Sequence, residues 1–133
     1  MRFIVMAIMT KESAAAPPPK PEAFVAMQEY NEKAVKAGVL LAAEGLTPKG
    51  TRVKFSGEKR TVIDGPFAES KELIAGFSII KADSLAEAIE WVKRAPNVSP
   101  NGEGLVEIRK LMDIEDFGEG FTPNEEIAKV KFK

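Results

Sequence analysis

With 133 residues, a net charge of −1, and 29% charged against 44% hydrophobic residues, the chain has the balance of a single soluble globular domain. Its cations and anions are interspersed, so no broad basic field invites nucleic acid and no direct nucleic-acid or membrane partner is expected. Cys and His are both absent, which excludes disulfides, Cys/His zinc sites, Ser-His-Asp triads and imidazole acid–base work; no metal or cofactor is expected, and any catalysis would rest on carboxylates, Lys, Tyr, Arg or backbone groups.

Arg2, the apolar run Phe3–Met9 and Ala14-Ala15-Ala16 imitate a short signal peptide. The run is only seven residues long, however, and Lys11-Glu12 interrupts it before the alanines. It reads instead as a first strand buried on both faces, in a cytoplasmic protein. Thr10 to Lys20, with Pro17-Pro18-Pro19, is an extended connector. Pro21 and Glu22 then suit a helix start. Ala23, Met27, Tyr30, Ala34 and Ala37 recur at helical spacing, and Gly38 closes the helix. Tyr30 is first a core or interface residue and second a candidate ligand contact.

Val39 to Ala43 reads as a second strand that Glu44-Gly45 and Pro48 break. Thr51, Val53 and Phe55 alternate with Arg52 and Lys54, the pattern of a half-exposed strand. Ser56-Gly57-Glu58-Lys59 supplies a turn, and Arg60 to Ile63 returns as the hairpin partner. The cations Arg52, Lys54, Lys59 and Arg60 read as a solvated face, since no aromatics alternate with them for stacking. The hairpin delivers the chain to Asp64-Gly65-Pro66-Phe67-Ala68-Glu69. Here Gly65 and Pro66 specify a turn, Asp64 can cap it, and Phe67 is placed as an apolar peg.

Glu72 to Lys81 is a long strand with Phe77 and Ile79 on one face, and Gly76 marks a bulge or the close approach of another backbone. Ser84 and Glu87 form a capping-box pair for a second helix, with Leu85, Ala88, Ile89 and Val92 as its buried stripe. Ala95-Pro96 stops it. Leu105 to Met112 is the last strand, with Glu107 and Arg109 on one face and Val106 and Ile108 on the other.

This order, β-α-β-(hairpin)-β-α-β, predicts an α+β, ferredoxin-like sandwich over residues 1–112: an antiparallel sheet with two helices on one face and an inserted hairpin. The other face needs its own cover, and a homodimer packed sheet to sheet supplies it. Residues 113–133 fall outside the plan. With Phe117, Phe121 and Phe132 they are expected to lie as an extension on the core or on the partner subunit.

The run VIDGPFAESKELIAGFSII, with Ser84-Leu85-Ala86-Glu87-Ala88 after it and Val106-Glu107-Ile108-Arg109 near the end, resembles the DGPF branch of the YCII-related proteins over about residues 1–112. That resemblance implies a dimeric α/β barrel of ferredoxin-like subunits, similar to muconolactone isomerase. Some members are small enzymes, among them a dehydrochlorinase of a chlorinated hydroxyquinol that uses a His and Asp pair; without His, this chain cannot carry that dyad. Proteins of the DGPF branch also tend to be encoded beside alternative sigma factors, which implies a regulatory role with a sigma factor as partner.

The candidate acid–base residues are Asp64 and Glu69, if the loop desolvates one of them. The candidate ligand contacts are Arg109, Glu107, Phe67 and Tyr30, with Arg109 able to grip a small anion in bidentate fashion. The favoured reading is a ligand- or partner-binding regulatory protein. The alternative is a cofactor-free lyase or isomerase acting on a small anionic or aromatic-derived metabolite.

Overall fold

The computed structural model describes residues 1–10, 17–65, 72–99 and 102–117. Its elements are strand β1 (Arg2–Thr10), helix α1 (Pro21–Lys36), strands β2 (Leu40–Gly45), β3 (Thr51–Ser56), β4 (Lys59–Asp64) and β5 (Glu72–Lys81), helix α2 (Leu85–Lys93), strand β6 (Leu105–Lys110) and a 3-10 turn, Ile114–Phe117. Four strands form one sheet in the order β2-β5-β1-β6, antiparallel throughout, while β3 and β4 pair only with each other. Each helix therefore connects two strands that have a third between them, and the protein is an α+β fold of ferredoxin-like type.

The core lies on one face of this sheet. Phe3 is 1% exposed and packs with Val39, Ile80, Ala82 and Ala88, with Val5, Leu40, Ile108, Trp91 and Val92 around them. Alternation along the strands sends Ile4, Met6 and Ile8 to the opposite face, where register sets them beside Ile79, Phe77 and Ile74. No helix of the core cluster reaches that second face. The run Phe3–Met9 is thus central in the sheet, as its sequence predicts; on the second face Met6 is buried, at 8% exposed, between half-buried Ile4 and Ile8.

Both helices begin where local chemistry sets them. Pro21 stands at the start of α1, and Gly38, at φ +74°, ends it in a conformation that only glycine takes without strain. For α2, the Glu87 N–H donates to Ser84 Oγ at 3.1 Å, and Glu87 Oε2 in turn accepts from the Asp83 N–H, also at 3.1 Å. The expected box forms, with its return bond one residue earlier than the usual pattern. Leu85, expected in the buried stripe, is instead exposed at the first turn.

Strand β2 runs through Glu44 and Gly45 instead of breaking there. Gly76 explains this: a Cβ at that position would lie 2.9 Å from the Glu44 carbonyl oxygen, so glycine lets the edge strand close onto β5. The bulge lies beside it, where the register with β1 shifts around Ala75. At the other end of the sheet β6 stops at Lys110, short of the expected Met112. Lys110 Nζ reaches Asp116 at 2.9 Å and Asp113 at 3.6 Å, and the Asp113 N–H donates to Asp116 Oδ2, which turns the chain into the 3-10 segment. The Asp116 hydrogen bond, aided by the charges of both carboxylates, raises the Lys110 pKa above its ordinary value.

The hairpin departs most from expectation. Ser56 pairs with Lys59 around Gly57-Glu58, and positive φ at Gly57 alone matches a type II′ turn. The first strand, expected to be half-exposed, is exposed at every position, and so is its partner β4. The alternation of Val53 and Phe55 with Arg52 and Lys54 forms the pleat, but among the described residues nothing covers its apolar side.

Candidate functional site

Asp64 ends β4 opposite Thr51, whose hydroxyl donates to Asp64 Oδ1 at 3.2 Å. One residue on, the Gly65 N–H donates to the Gly50 carbonyl at 2.8 Å. Together these bonds clamp the open end of the hairpin. The expected turn cap is not what Asp64 makes: the position two residues on is Pro66, which has no N–H to give. Its carboxylate is exposed and serves across the strands instead. Glu69 and Phe67 lie outside the described residues.

Behind this clamp is an apolar cleft of about 200 Å³. The loop after β2 supplies Leu46, Pro48 and Gly50, and the sheet supplies Met9, Leu73 and Ile74. A bond from the Leu46 N–H to the Ala75 carbonyl, 2.9 Å, fixes the loop to the bulge. The cleft therefore shares its Gly50 wall with the Asp64–Gly65 corner, although Asp64 itself does not line it.

Glu107 and Arg109 share the face that the helices leave open, as their spacing predicts. Register places Glu107 beside Met6 and Arg109 beside Ile4. Met6 is in turn beside Phe77, and Phe77 beside Glu44 on the far edge strand. The open face is therefore an apolar band of Ile4, Met6, Phe77 and Ile79 with Glu44 at one margin and Glu107 and Arg109 at the other. Among the described residues neither Glu107 nor Arg109 forms an ion pair. Glu44 escaped sequence reading because the strand was expected to end before it.

Tyr30 lies elsewhere. Its hydroxyl donates to the Trp91 carbonyl at 2.7 Å and ties α1 to α2 in the helical layer. Burial raises its pKa, with the nearby Arg94 charge pulling the other way. An open groove of about 480 Å³ runs between the helices past Tyr30, Lys33, Trp91 and Arg94, where the Arg94 guanidinium sits 4.8 Å above the Trp91 ring. Trp91 near the end of α2 and Arg94 at its C-cap, three residues apart, carried the signal for this contact in their spacing. Tyr30 and Arg109 thus occupy opposite sides of the sheet and cannot meet one ligand within a single chain.

One family model, that of the YCII-related domain, matches residues 1–115. The chain belongs to the YCII-related family. It is also 37% identical over 87 residues to uncharacterized protein R00369 of Rhizobium meliloti (strain 1021), a match covering 64% of this chain and 69% of that protein. Among the described residues no helix is long and apolar enough to cross a membrane, and no cluster of acidic side chains could hold a metal ion.

Proposed function

We propose that this YCII-related chain, of the DGPF branch, is a ligand-binding homodimer whose two sheets face each other and hold a small anion at the charged margin of the enclosed face. The observation that carries this reading is the open face itself. An apolar band flanked by Glu44 on one side and Glu107 with Arg109 on the other has an apolar centre and a polar rim, the anatomy of an association surface. Enclosure would desolvate Arg109 and strengthen its grip on a carboxylate or phosphate. Two-fold symmetry would give the Arg109 of each copy the same setting, one at each β6 margin of the enclosed space.

The acid–base alternative, with Asp64 or Glu69 as proton carrier, needs a desolvated carboxylate. Asp64 is exposed and already engaged by Thr51, which favours binding over catalysis. Light scattering at micromolar concentration should give a mass near twice 14.5 kDa. Thermal melts with a panel of small carboxylates and phosphates should show stabilisation that Arg109→Gln abolishes while leaving the mass unchanged. A monomer, or anion stabilisation that survives Arg109→Gln, overturns the reading.

A further inference from the structure

The helical layer carries a second constellation, apart from the open face of the sheet. Ala26, Glu29, Tyr30 and Lys33 follow helical spacing, so one face of α1 presents all four. Trp91, Arg94 and Pro96 stand across from them at the end of α2. The groove between, about 480 Å³, lies within the size range of small-molecule sites. The Tyr30 hydroxyl, by donating to the Trp91 carbonyl at 2.7 Å, ties its two walls together.

Its charges are left open. Glu29 and Lys33 have the spacing and order that favour an ion pair along a helix, yet among the described residues neither forms one. Nor does Arg94, whose guanidinium lies 4.8 Å from the centre of the Trp91 ring. Lys33 and Arg94 against Glu29 give the groove a net charge of +1, in a chain whose net charge is −1. The carbonyl end of a helix disfavours anions. Here, however, the Trp91 carbonyl accepts from the Tyr30 hydroxyl and the Arg94 N–H, and the Val92 carbonyl accepts from the Ala95 N–H, so that end of α2 is largely engaged. The walls beneath the charges are apolar. Tyr30, Trp91 and Pro96 are half-buried and offer flat surface that a bare anion would leave wet and a ring would cover.

We propose that the α1–α2 groove binds a small aromatic carboxylate, its ring against Trp91 and Pro96 and its carboxylate between Lys33 and Arg94. The site is on the other side of the sheet from Arg109 and stands independently of the dimer and the anion site proposed above.

Trp91 is the chain's single Trp, so its fluorescence reports the groove directly. At fixed ionic strength benzoate is titrated into the full chain, with acetate as the anion without a ring and benzamide as the ring without a charge. Benzoate should change the signal saturably, with half-saturation below about 10 mM, and should bind roughly tenfold more tightly than either control. Arg94→Gln and Lys33→Gln, both at exposed sites, should each weaken benzoate binding roughly threefold to tenfold. Glu29→Gln should instead tighten it about twofold to fivefold, a gain that a misfolded variant would not show. Arg109→Gln should leave the titration unchanged, which separates this groove from the open face. A response to benzoate that does not saturate, equal binding of either control, or affinity unchanged in Arg94→Gln and Lys33→Gln overturns the proposal. So does weaker binding by Glu29→Gln, or loss of the signal in Arg109→Gln.

Discussion

Gly76→Ala sets two opposed backbone effects against each other at one site. In a strand interior, replacing Gly by Ala contributes about 0.5–1 kcal/mol by restricting the unfolded chain. Here the new methyl would meet the Glu44 carbonyl oxygen at 2.9 Å and the Gly45 Cα at 3.4 Å. These are backbone atoms of the neighbouring strand and cannot rotate away, so β2 must be pushed off β5 where Glu44 pairs with Phe77 and Gly45 with Gly76. Overpacking of this kind costs about 1–3 kcal/mol. The clash wins, leaving a net loss of about 1–2 kcal/mol, or roughly 4–8 °C in Tm for a domain of this size. Gly45→Ala is the control. It sits in the same cross-strand pair, has no atom within 4 Å of its added Cβ and needs no positive φ. It should be neutral or gain up to about 1 kcal/mol. Urea denaturation at one fixed protein concentration compares the two, because a dimer's stability depends on concentration. A Gly76→Ala protein as stable as Gly45→Ala would refute the account of why the edge strand lies so close.

Ser84→Ala removes the side chain that accepts the Glu87 N–H and should cost about 1 kcal/mol in urea denaturation, with Ser84→Asp restoring most of it. Tyr30→Phe deletes the bond to the Trp91 carbonyl and should cost about 1 kcal/mol near neutral pH. Because burial raises the pKa of the chain's single Tyr above 10.0, its neutral form favours the folded state; that stability is present below pH 10 and is lost as pH rises through the folded pKa. Melts of Tyr30→Phe should therefore fall less steeply above pH 10 than wild type, and equal slopes would count against the burial cause. Asp64→Asn retains an oxygen for the Thr51 hydroxyl and should leave stability almost unchanged, whereas Asp64→Ala should lose roughly 0.5–1 kcal/mol, with Thr51→Val losing a similar amount and the double variant no more than either alone.

Features settled within a few residues were legible in the sequence. The Ser84–Glu87 cap, the Gly38 stop, the Gly57 turn and the face shared by Glu107 and Arg109 follow from dihedral limits, hydrogen-bond reach and the two-residue period of a strand. The ferredoxin-like order followed as well, because alternating strand and helix patterns leave few unknotted arrangements. The candidate contacts were another matter. Tyr30 and Arg109 were each plausible alone, but only the sheet between them decides that they face different ways.

Tertiary contact decided everything that depends on what stands opposite a residue. Glu44-Gly45 looks like a strand breaker until Gly76 lets the backbone approach, and then β2 continues. Asp64 looks like the cap of its own turn until pairing brings Thr51, thirteen residues away, within hydrogen-bond distance. The alternation of Val53 and Phe55 with Arg52 and Lys54 set the pleat of the hairpin, but a sequence period fixes only which side chains share a face. Whether that face is buried depends on a second surface, and in this fold the described parts of the chain leave the hairpin without one.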